Sequence, residues 1–294
     1  MQKKKQKKIR KKNPIEALKE GLANMTEAQK KVADHIIRNH FDVSFATIDQ
    51  VAAAAETSTT TIMRLMSAIG YSGYSEFQKA LQAFLREQVH PRMRLEANIR
   101  SLDQEDLWNE CFQKELDNIS ATIEDNAAED LDAVVTRIAS ARRVYVASAR
   151  GGAMVAQFLH LFLARIFGNS VLIQTDSIAE WSALVPDADA RDVAVIFSYP
   201  RYSRTIRHFA RAMRKQDAFV VGVTNSYSAP LAQHAHILLP CSCASSGFHN
   251  SPVAAMALVD CIISVASIRY SSRVKPRLEM SAALLDEVGY YDTV

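Results

Sequence analysis

The sequence has little of what marks several common protein classes. Nine glycines and eight prolines in 294 residues are too few for a collagen-like or low-complexity chain. No apolar run reaches the ~18 residues that a spanning helix needs, so no membrane segment is expected. The basic N-terminus has no apolar stretch behind it, so no secretory signal is expected either. Four irregularly spaced cysteines do not predict a disulfide framework. We therefore expect a chain that works in the reducing cytoplasm.

The composition predicts a folded chain whose charges are unevenly distributed along the sequence. Hydrophobic residues make up 48% and charged residues 23%, enough for one large or two ordinary domains with sizeable cores. Residues 1–100 carry 18 Lys or Arg against 10 Asp or Glu, and the remainder carries 17 against 22. A basic first third joined to an acidic body indicates a polyanion-binding module attached to a second, different domain.

The basic charge is densest at the N-terminus. The first twelve residues contain eight Lys or Arg, and like-charge repulsion predicts a disordered arm over residues 1–13. Two interpretations remain open for this arm. It is a solubilising tail, or it contacts phosphates beside the module that follows.

Residues 14–90 have the pattern of short helices. Thr26 with Gln29, and Thr47 with Gln50, form capping boxes, and Ser58 is placed to cap a third helix that ends at Gly70. A two-turn helix, a tight connection and a second helix over 47–70 predict a helix-turn-helix.

The second helix of this pair divides into two faces. Ile62, Leu65, Met66 and Ile69 recur at helical spacing and predict a buried face. The other face carries small hydroxyls and a guanidinium, which reach base edges and phosphates in a major groove without bulk. The predicted DNA-contacting residues are Ser58, Thr59, Thr60, Thr61, Met63, Arg64 and Ser67. The alternative is a three-helix bundle with an ordinary polar surface.

From residue 143 strands alternate with helices, which predicts a parallel sheet covered by helices on both faces. The expected fold is therefore two domains, an all-α helix-turn-helix bundle followed by an α/β domain. We assign 91–128 to a helical linker, 129–271 to the α/β ligand-binding domain and 272–294 to a polar C-terminal tail. Ligands bind beyond the carboxyl ends of such strands. The loops there are 148–152, 198–203 and 224–230.

Four stretches of sequence carry a family resemblance. The family in question is that of the RpiR-type bacterial transcription regulators. The resembling stretches are TIDQVAAAAETSTTTIMRLMSAIGYSGYSEFQKAL (47–81) in the first domain, and VYVASARGGAMVA (144–156), SYPRYSRTI (198–206) and FHNSPVAAMALVD (248–260) in the second. That family joins an N-terminal helix-turn-helix domain to a sugar isomerase (SIS) domain. The resemblance spans about residues 15–270. It implies operator DNA and a small anionic effector as partners, and a regulatory rather than catalytic role.

The loops of the second domain depart from the family pattern. The family's first loop commonly reads Gly-x-Gly-x-Ser, where this chain has Ser148, Arg150 and Gly152. Its second commonly reads Ser-x-Ser-Gly-x-Thr, and here Arg201 stands at the glycine. The guanidinium of arginine offers paired N–H donors that match a carboxylate or a phosphate. The expected ligand is therefore a phosphosugar or a carboxylate. The predicted ligand contacts are Ser148, Arg150, Gly151, Gly152, Ser198, Arg201, Tyr202, Ser203 and Thr205. Alternatively, the two arginines pair with acids across a subunit interface.

Metal binding, catalysis and protein binding are alternative functions for which the sequence offers less support. His234-x-His236 and Cys241-x-Cys243 lack the spacing of strong zinc motifs, so no metal and no cofactor is predicted. The rival function is a sugar-phosphate isomerase or lyase with an accessory basic domain, using Glu180, His208 or His249 as acid or base. A sensor that contacts a protein partner is a third reading.

The sequence also bears on assembly. Reading a palindromic operator needs two recognition helices one turn of DNA apart, which implies a homodimer or homotetramer. The long apolar helices expected over 152–167 and 251–269 are the candidates for the interface.

Overall fold

The computed structural model describes residues 14–88, 91–103 and 105–290. The chain divides into two compact units, the first ending at His90 and the second beginning at Pro91. The basic arm predicted over residues 1–13 lies outside the described residues.

The first unit is helical throughout its described part. Its helices are α1 (Pro14–Gly21), α2 (Glu27–Arg38), α3 (His40–Val43), α4 (Ile48–Ala54), α5 (Thr59–Ala68) and α6 (Tyr74–Gln88). The capping boxes at Thr26 and Thr47 both form, which explains why α2 and α4 begin where they do. The core includes Leu18, Ile36 and Phe77, each fully buried, and the predicted apolar face of α5 packs into it. The helix-turn-helix therefore stands on a continuous hydrophobic core.

Helix α6 fixes the segment that precedes the helix-turn-helix. The Tyr74 hydroxyl donates to the carbonyls of Val43 and Ala46 at 3.0 and 2.9 Å. The Gln78 side chain donates to the same Ala46 carbonyl at 2.8 Å. Burial raises the pKa of Tyr74 to about 12, so the phenol stays a neutral donor at ordinary pH. These bonds give the Ala46 carbonyl two side-chain donors and add one to the Val43 carbonyl, and they fix the segment that leads into α4.

The second unit is built on a parallel sheet. Its strands are β1 (Val144–Ser148), β2 (Ser170–Gln174), β3 (Val193–Ser198), β4 (Phe219–Thr224) and β5 (Ile237–Pro240). Its helices are α7 (Pro91–Ser101), α8 (Leu107–Asp125), α9 (Ala128–Ser140), α10 (Ala153–Ile166), α11 (Ile178–Leu184), α12 (Arg204–Lys215), α13 (Val253–Arg269) and α14 (Ser271–Glu287). The predicted parallel sheet flanked by helices is confirmed.

The order of the strands determines where a crevice forms. The sheet runs β2-β1-β3-β4-β5, so the connections leave β1 and β3 in opposite directions. Such a switch point opens a crevice at the carboxyl ends of the two strands. Every residue of β1 and β3 is buried. Alternate residues face opposite cores, with Val144 and Val146 toward α9, α10 and α13, and Tyr145 and Ala147 toward α11 and α12.

The segment 91–128, predicted as a linker, is part of the second unit instead. Pro91 is the first residue of α7, where its missing N–H costs nothing. The Asn98 amide donates to the carbonyls of Ser245 and Gly247 at 3.1 and 2.9 Å. The Asn118 amide of α8 donates to the Ala244 carbonyl at 2.7 Å. These buried bonds tie both helices to the loop after β5.

The prediction of a polar tail from residue 272 is wrong for most of that segment, because α14 is a helix docked on α10. Val274 is 2% exposed. The Arg277 guanidinium donates to the carbonyls of Ala164 and Arg165 at 3.1 and 3.2 Å. These are end carbonyls of α10, which no residue of that helix can satisfy. The helix α14 thus closes the end of α10.

Within the described ranges, no single helix is long and apolar enough to cross a membrane, and the one pair that passes such a test together, α13 with α14, is bent by 102°.

Candidate DNA-binding helix and ligand cavity

The start of α5 is set by Ser58. Its hydroxyl accepts from the Thr61 backbone N–H at 3.2 Å and lies 3.0 Å from the Thr61 hydroxyl. The cap offsets the poor helix propensity of three successive threonines. Of the predicted contacts, Ser58, Thr60, Met63, Arg64 and Ser67 are exposed, whereas Thr59 and Thr61 are half-buried. The predicted face is therefore presented to solvent along one side of the helix.

Two details of this helix were not expected from the sequence. Glu56, in the connection between α4 and α5, has a left-handed backbone with φ of 48°, a position that favours glycine. The Met63 side chain lies over Gly73, where a Cβ would stand 3.2 Å from its methyl carbon. Met63 therefore borders the exposed face and also packs onto the turn before α6.

Arg64 carries the only positive charge among the predicted contacts. It forms no ion pair or side-chain hydrogen bond with any residue that the structure describes. An exposed guanidinium without an internal partner is available for a phosphate or a guanine edge.

A cavity of about 410 Å³ opens at the switch point of the sheet. This size is within the range of small-molecule sites. Loop residues after β1 and β3 line it together with the segment before α13 and the start of α7. The lining residues are Pro91, Arg94, Ala149, Arg150, Gly151, Gly152, Met154, Tyr199, Pro200, Arg201, Ser203, Ile206, Phe248, His249, Asn250, Ser251 and Pro252.

Five of the nine predicted ligand residues line this cavity. They are Arg150, Gly151, Gly152, Arg201 and Ser203. The other four do not, and they are Ser148, Ser198, Tyr202 and Thr205. The loop 224–230, also expected at this edge, contributes no described residue to the lining.

The buried serines explain part of this division. Ser148 is 3% and Ser198 2% exposed, because both are still the last residues of buried strands. A Cβ at Gly152 would collide with the Ser148 hydroxyl, so glycine there lets the loop cross closely over the strand end. Tyr202 turns away from the cavity, and its hydroxyl donates to the Asn225 side chain at 2.7 Å.

The two loop arginines share an uncommon backbone conformation. Arg150 has φ of 54° and Arg201 φ of 65°, both in the left-handed region. This region is costly for a residue with a Cβ, and such strain clusters at functional sites. Both side chains are exposed and form no ion pair or hydrogen bond with the described residues. The loops thus keep a conformation suited to glycine while presenting guanidinium groups to the cavity.

The hydroxyls at the start of α12 are already engaged with an acid. Thr205 Oγ1 donates to Asp176 Oδ1 at 3.0 Å, and the Ser203 hydroxyl lies 2.5 Å from Thr205 Oγ1. The Ser203 hydroxyl also caps α12 by accepting from the Thr205 backbone N–H at 3.2 Å. A carboxylate so close to these hydroxyls disfavours an anion beside them.

Apart from His249, a candidate acid or base in the sequence, the wall formed by residues 248–252 and by α7 was not predicted. Arg94 is 7% exposed, and its guanidinium donates to the His249 carbonyl at 2.9 Å and to Asn250 Oδ1 at 2.8 Å. The Asn250 amide in turn donates to the Pro200 carbonyl at 3.3 Å. The stretch FHNSPVAAMALVD (248–260), which resembles the family, was the available signal for this wall.

The three acid–base candidates do not lie together in the structure. His249 lines the cavity, whereas Glu180 and His208 do not, and no carboxylate is among the described lining residues. The structure adds no support for a zinc site at the His234-x-His236 and Cys241-x-Cys243 pairs. The described part of the chain holds no group of three metal-ligating side chains. Burial raises the pKa of the Cys241 thiol to about 11, and the His236 ring stacks on Phe219.

A helix-turn-helix unit followed by a parallel α/β unit with a cavity at its switch point defines the class of ligand-responsive DNA-binding regulators. Residues 12–88 match the helix-turn-helix domain of the rpiR family, and residues 137–265 match the SIS domain. The chain belongs to this RpiR-type family of transcription regulators with a SIS domain.

Named relatives agree with this assignment. The chain is 25% identical over 219 residues to an HTH-type transcriptional regulator of Haemophilus influenzae, covering 74% of this chain and 75% of that protein. It is 26% identical over 234 residues to the HTH-type transcriptional regulator HexR of Pseudomonas aeruginosa, covering 78% of each. The fold is similar to that of the Vibrio vulnificus NanR protein complexed with ManNAc-6P. The TM-score is 0.58 at 23% identity, covering 94% of this chain and 99% of that one.

Proposed function

We propose that this protein regulates a metabolic operon by binding operator DNA through α5, and that a small anionic metabolite in the cavity changes its affinity for that DNA. The observation that carries the proposal is the exposed face of α5, whose hydroxyls and Arg64 project from a helix seated on a closed core. Small polar groups and a free guanidinium on such a helix suit the major groove.

The effector is proposed from the cavity. Arg150 and Arg201 line it, and forked donors of this kind suit a phosphate or a carboxylate. The relative NanR binds ManNAc-6P, which supports a small anionic metabolite, a phosphosugar or a carboxylate, as the effector class. In this proposal the protein works in the cytoplasm, beside the DNA.

We propose a homodimer or homotetramer as the active form, since two recognition helices are needed for an inverted repeat. An exposed apolar stripe on α8 supports self-association. Trp108, Phe112 and Ile123 are 81%, 66% and 71% exposed there. Large apolar side chains exposed along one helix in this way favour a protein–protein contact surface.

The first experiment selects genomic fragments with the full-length protein at near-physiological salt. An enriched inverted repeat is the expected result, and the flanking genes then identify the pathway of the effector. Binding without sequence preference would contradict the proposal, because the basic charge alone produces that outcome.

A pair of variants tests the face of α5. Arg64→Ala should reduce the ratio of operator to random-sequence affinity, because a base contact is lost. Arg38→Ala removes the same charge from an exposed site on α2. It should weaken both kinds of DNA alike or leave them unchanged. Equal effects of the two variants on the specificity ratio would refute the role of Arg64.

We infer that the SIS unit senses and does not catalyse, although His249 in the cavity wall keeps the isomerase alternative testable. Incubation with hexose and pentose phosphates should give no turnover. Turnover that disappears in His249→Ala would favour the enzyme instead.

A further inference from the structure

The usual place for an anion in this crevice, the start of α12, is already negatively charged. Asp176 accepts from Thr205, and Thr205 shares a short hydrogen bond with Ser203. A phosphate seated on these hydroxyls would lie next to a carboxylate of the same sign. This repulsion favours a position elsewhere in the cavity for the ligand's negative charge.

Most polar side chains of the cavity wall already form hydrogen bonds with other groups of the protein. The Ser251 hydroxyl donates to Glu115 Oε2 at 2.5 Å and accepts from the Val253 backbone N–H at 3.2 Å. Asn250 uses its oxygen for Arg94 and its amide for the Pro200 carbonyl. Sugar hydroxyls need partners that form hydrogen bonds, and few such groups remain here.

The rest of the wall is largely apolar. Its apolar side chains are those of Pro91, Met154, Pro200, Ile206, Phe248 and Pro252, with the ring of Tyr199, and the imidazole of His249 is a polar exception. Such a wall favours a ligand whose body is mainly carbon and hydrogen. Ligand hydroxyls buried against it would lose their hydrogen bonds to water and gain no partners, which costs free energy.

Three guanidinium groups also line the cavity, and that of Arg94 is already bound to the His249 carbonyl and the Asn250 side chain. Neither Arg150 nor Arg201 has an internal ion pair in the described part of the chain, and no described carboxylate lines the same cavity. Two like charges in one cavity repel each other, and a ligand with a single charge leaves one of them uncompensated. A ligand with two anionic groups offsets both.

We propose that the cavity binds a compact dicarboxylate with few hydroxyls, one carboxylate held by the guanidinium of Arg150 and the other by that of Arg201. Each pair would be a fork-to-fork contact, which gives geometric selectivity as well as attraction. This inference rests on the proposed function, in which the cavity is the effector site.

The test uses the full-length protein and calorimetric titration with four probes, which are succinate, butyrate, glucose 6-phosphate and inorganic phosphate. Succinate should bind at least about tenfold more tightly than butyrate, because it makes the second charge-assisted pair. Succinate should also bind more tightly than glucose 6-phosphate or phosphate.

Variants then locate the binding. Arg150→Gln and Arg201→Gln should each weaken succinate binding about tenfold or more, and reduce succinate to the affinity of butyrate. Arg204→Gln is the matched control, because Arg204 is exposed at the start of α12 and does not line the cavity. It should leave succinate binding unchanged.

Three outcomes overturn the inference. They are tighter binding of glucose 6-phosphate than of succinate, succinate binding that is insensitive to both arginine variants, and no binding of any probe.

Operator binding measured with and without each probe separates this inference from the proposed function. A phosphosugar that shifts operator affinity refutes the dicarboxylate and leaves the regulator standing. Arginine-dependent succinate binding without any operator binding supports the cavity chemistry and refutes the regulator.

Discussion

Replacing Arg201 by glycine and by alanine isolates the strain in the cavity loop. Both variants remove the guanidinium, so the difference between them reports the backbone alone. With φ of 65°, position 201 favours glycine. The control position is Arg207, an exposed residue inside α12, where alanine is favoured instead.

The magnitude follows from the two backbone conformations. Left-handed geometry costs a residue with a Cβ roughly 1–2 kcal/mol, and glycine loses about 0.5–1 kcal/mol more chain entropy on folding. Arg201→Gly should therefore be more stable than Arg201→Ala by about 1 kcal/mol. At position 207 the order reverses, with glycine about 1 kcal/mol less stable than alanine.

The sequence offers a convenient assay. Both tryptophans, Trp108 and Trp181, lie in the second unit, and Trp181 is 9% exposed in its core. Urea unfolding followed by tryptophan fluorescence thus reports this unit separately. Equal stability of the two variants at position 201, with the expected order at 207, would refute a left-handed Arg201.

Three further predictions concern the cap of α5, the first cavity loop and the buried phenol of α6. Ser58→Ala should destabilise the first unit by about 1 kcal/mol, seen in circular dichroism, and weaken operator binding because α5 loses its cap. Gly152→Ala should weaken effector binding, measured by calorimetry, since the new methyl would collide with the Ser148 hydroxyl and either that buried hydroxyl or the loop must shift. Stability of the first unit should fall as pH rises from 10 to 12, because folding keeps Tyr74 neutral up to about 12 whereas the unfolded phenol ionises near 10. In Tyr74→Phe this fall should be smaller, and an unchanged alkaline fall would contradict the role of Tyr74.

Local signals account for the elements that the sequence predicted well. The capping boxes at Thr26 and Thr47 depend on residues three positions apart, so they are visible in the chain. The buried strands, such as Val193–Ser198, are recognisable in the sequence as short apolar runs between loops.

The elements that were missed depend on distant contacts. Helix α14 contains Pro276 and a polar sequence, and its docking rests on Arg277 reaching carbonyls more than 110 residues earlier. The contact between Arg94 and His249 spans 155 residues, so no local pattern reveals that α7 borders the cavity. The left-handed backbone of Arg150 and Arg201 also follows from the folded loops and not from residue preference.

The position of Arg94 has a mechanical consequence. It lies one turn of helix after Pro91, where the chain enters the second unit from the first. Its guanidinium holds the carbonyl of His249 and the side chain of Asn250, both in the cavity wall. In the proposed function, a ligand that displaces this wall would displace the first turn of α7 with it. Arg94 is therefore a single side chain that links the cavity wall to the helix with which the second unit begins.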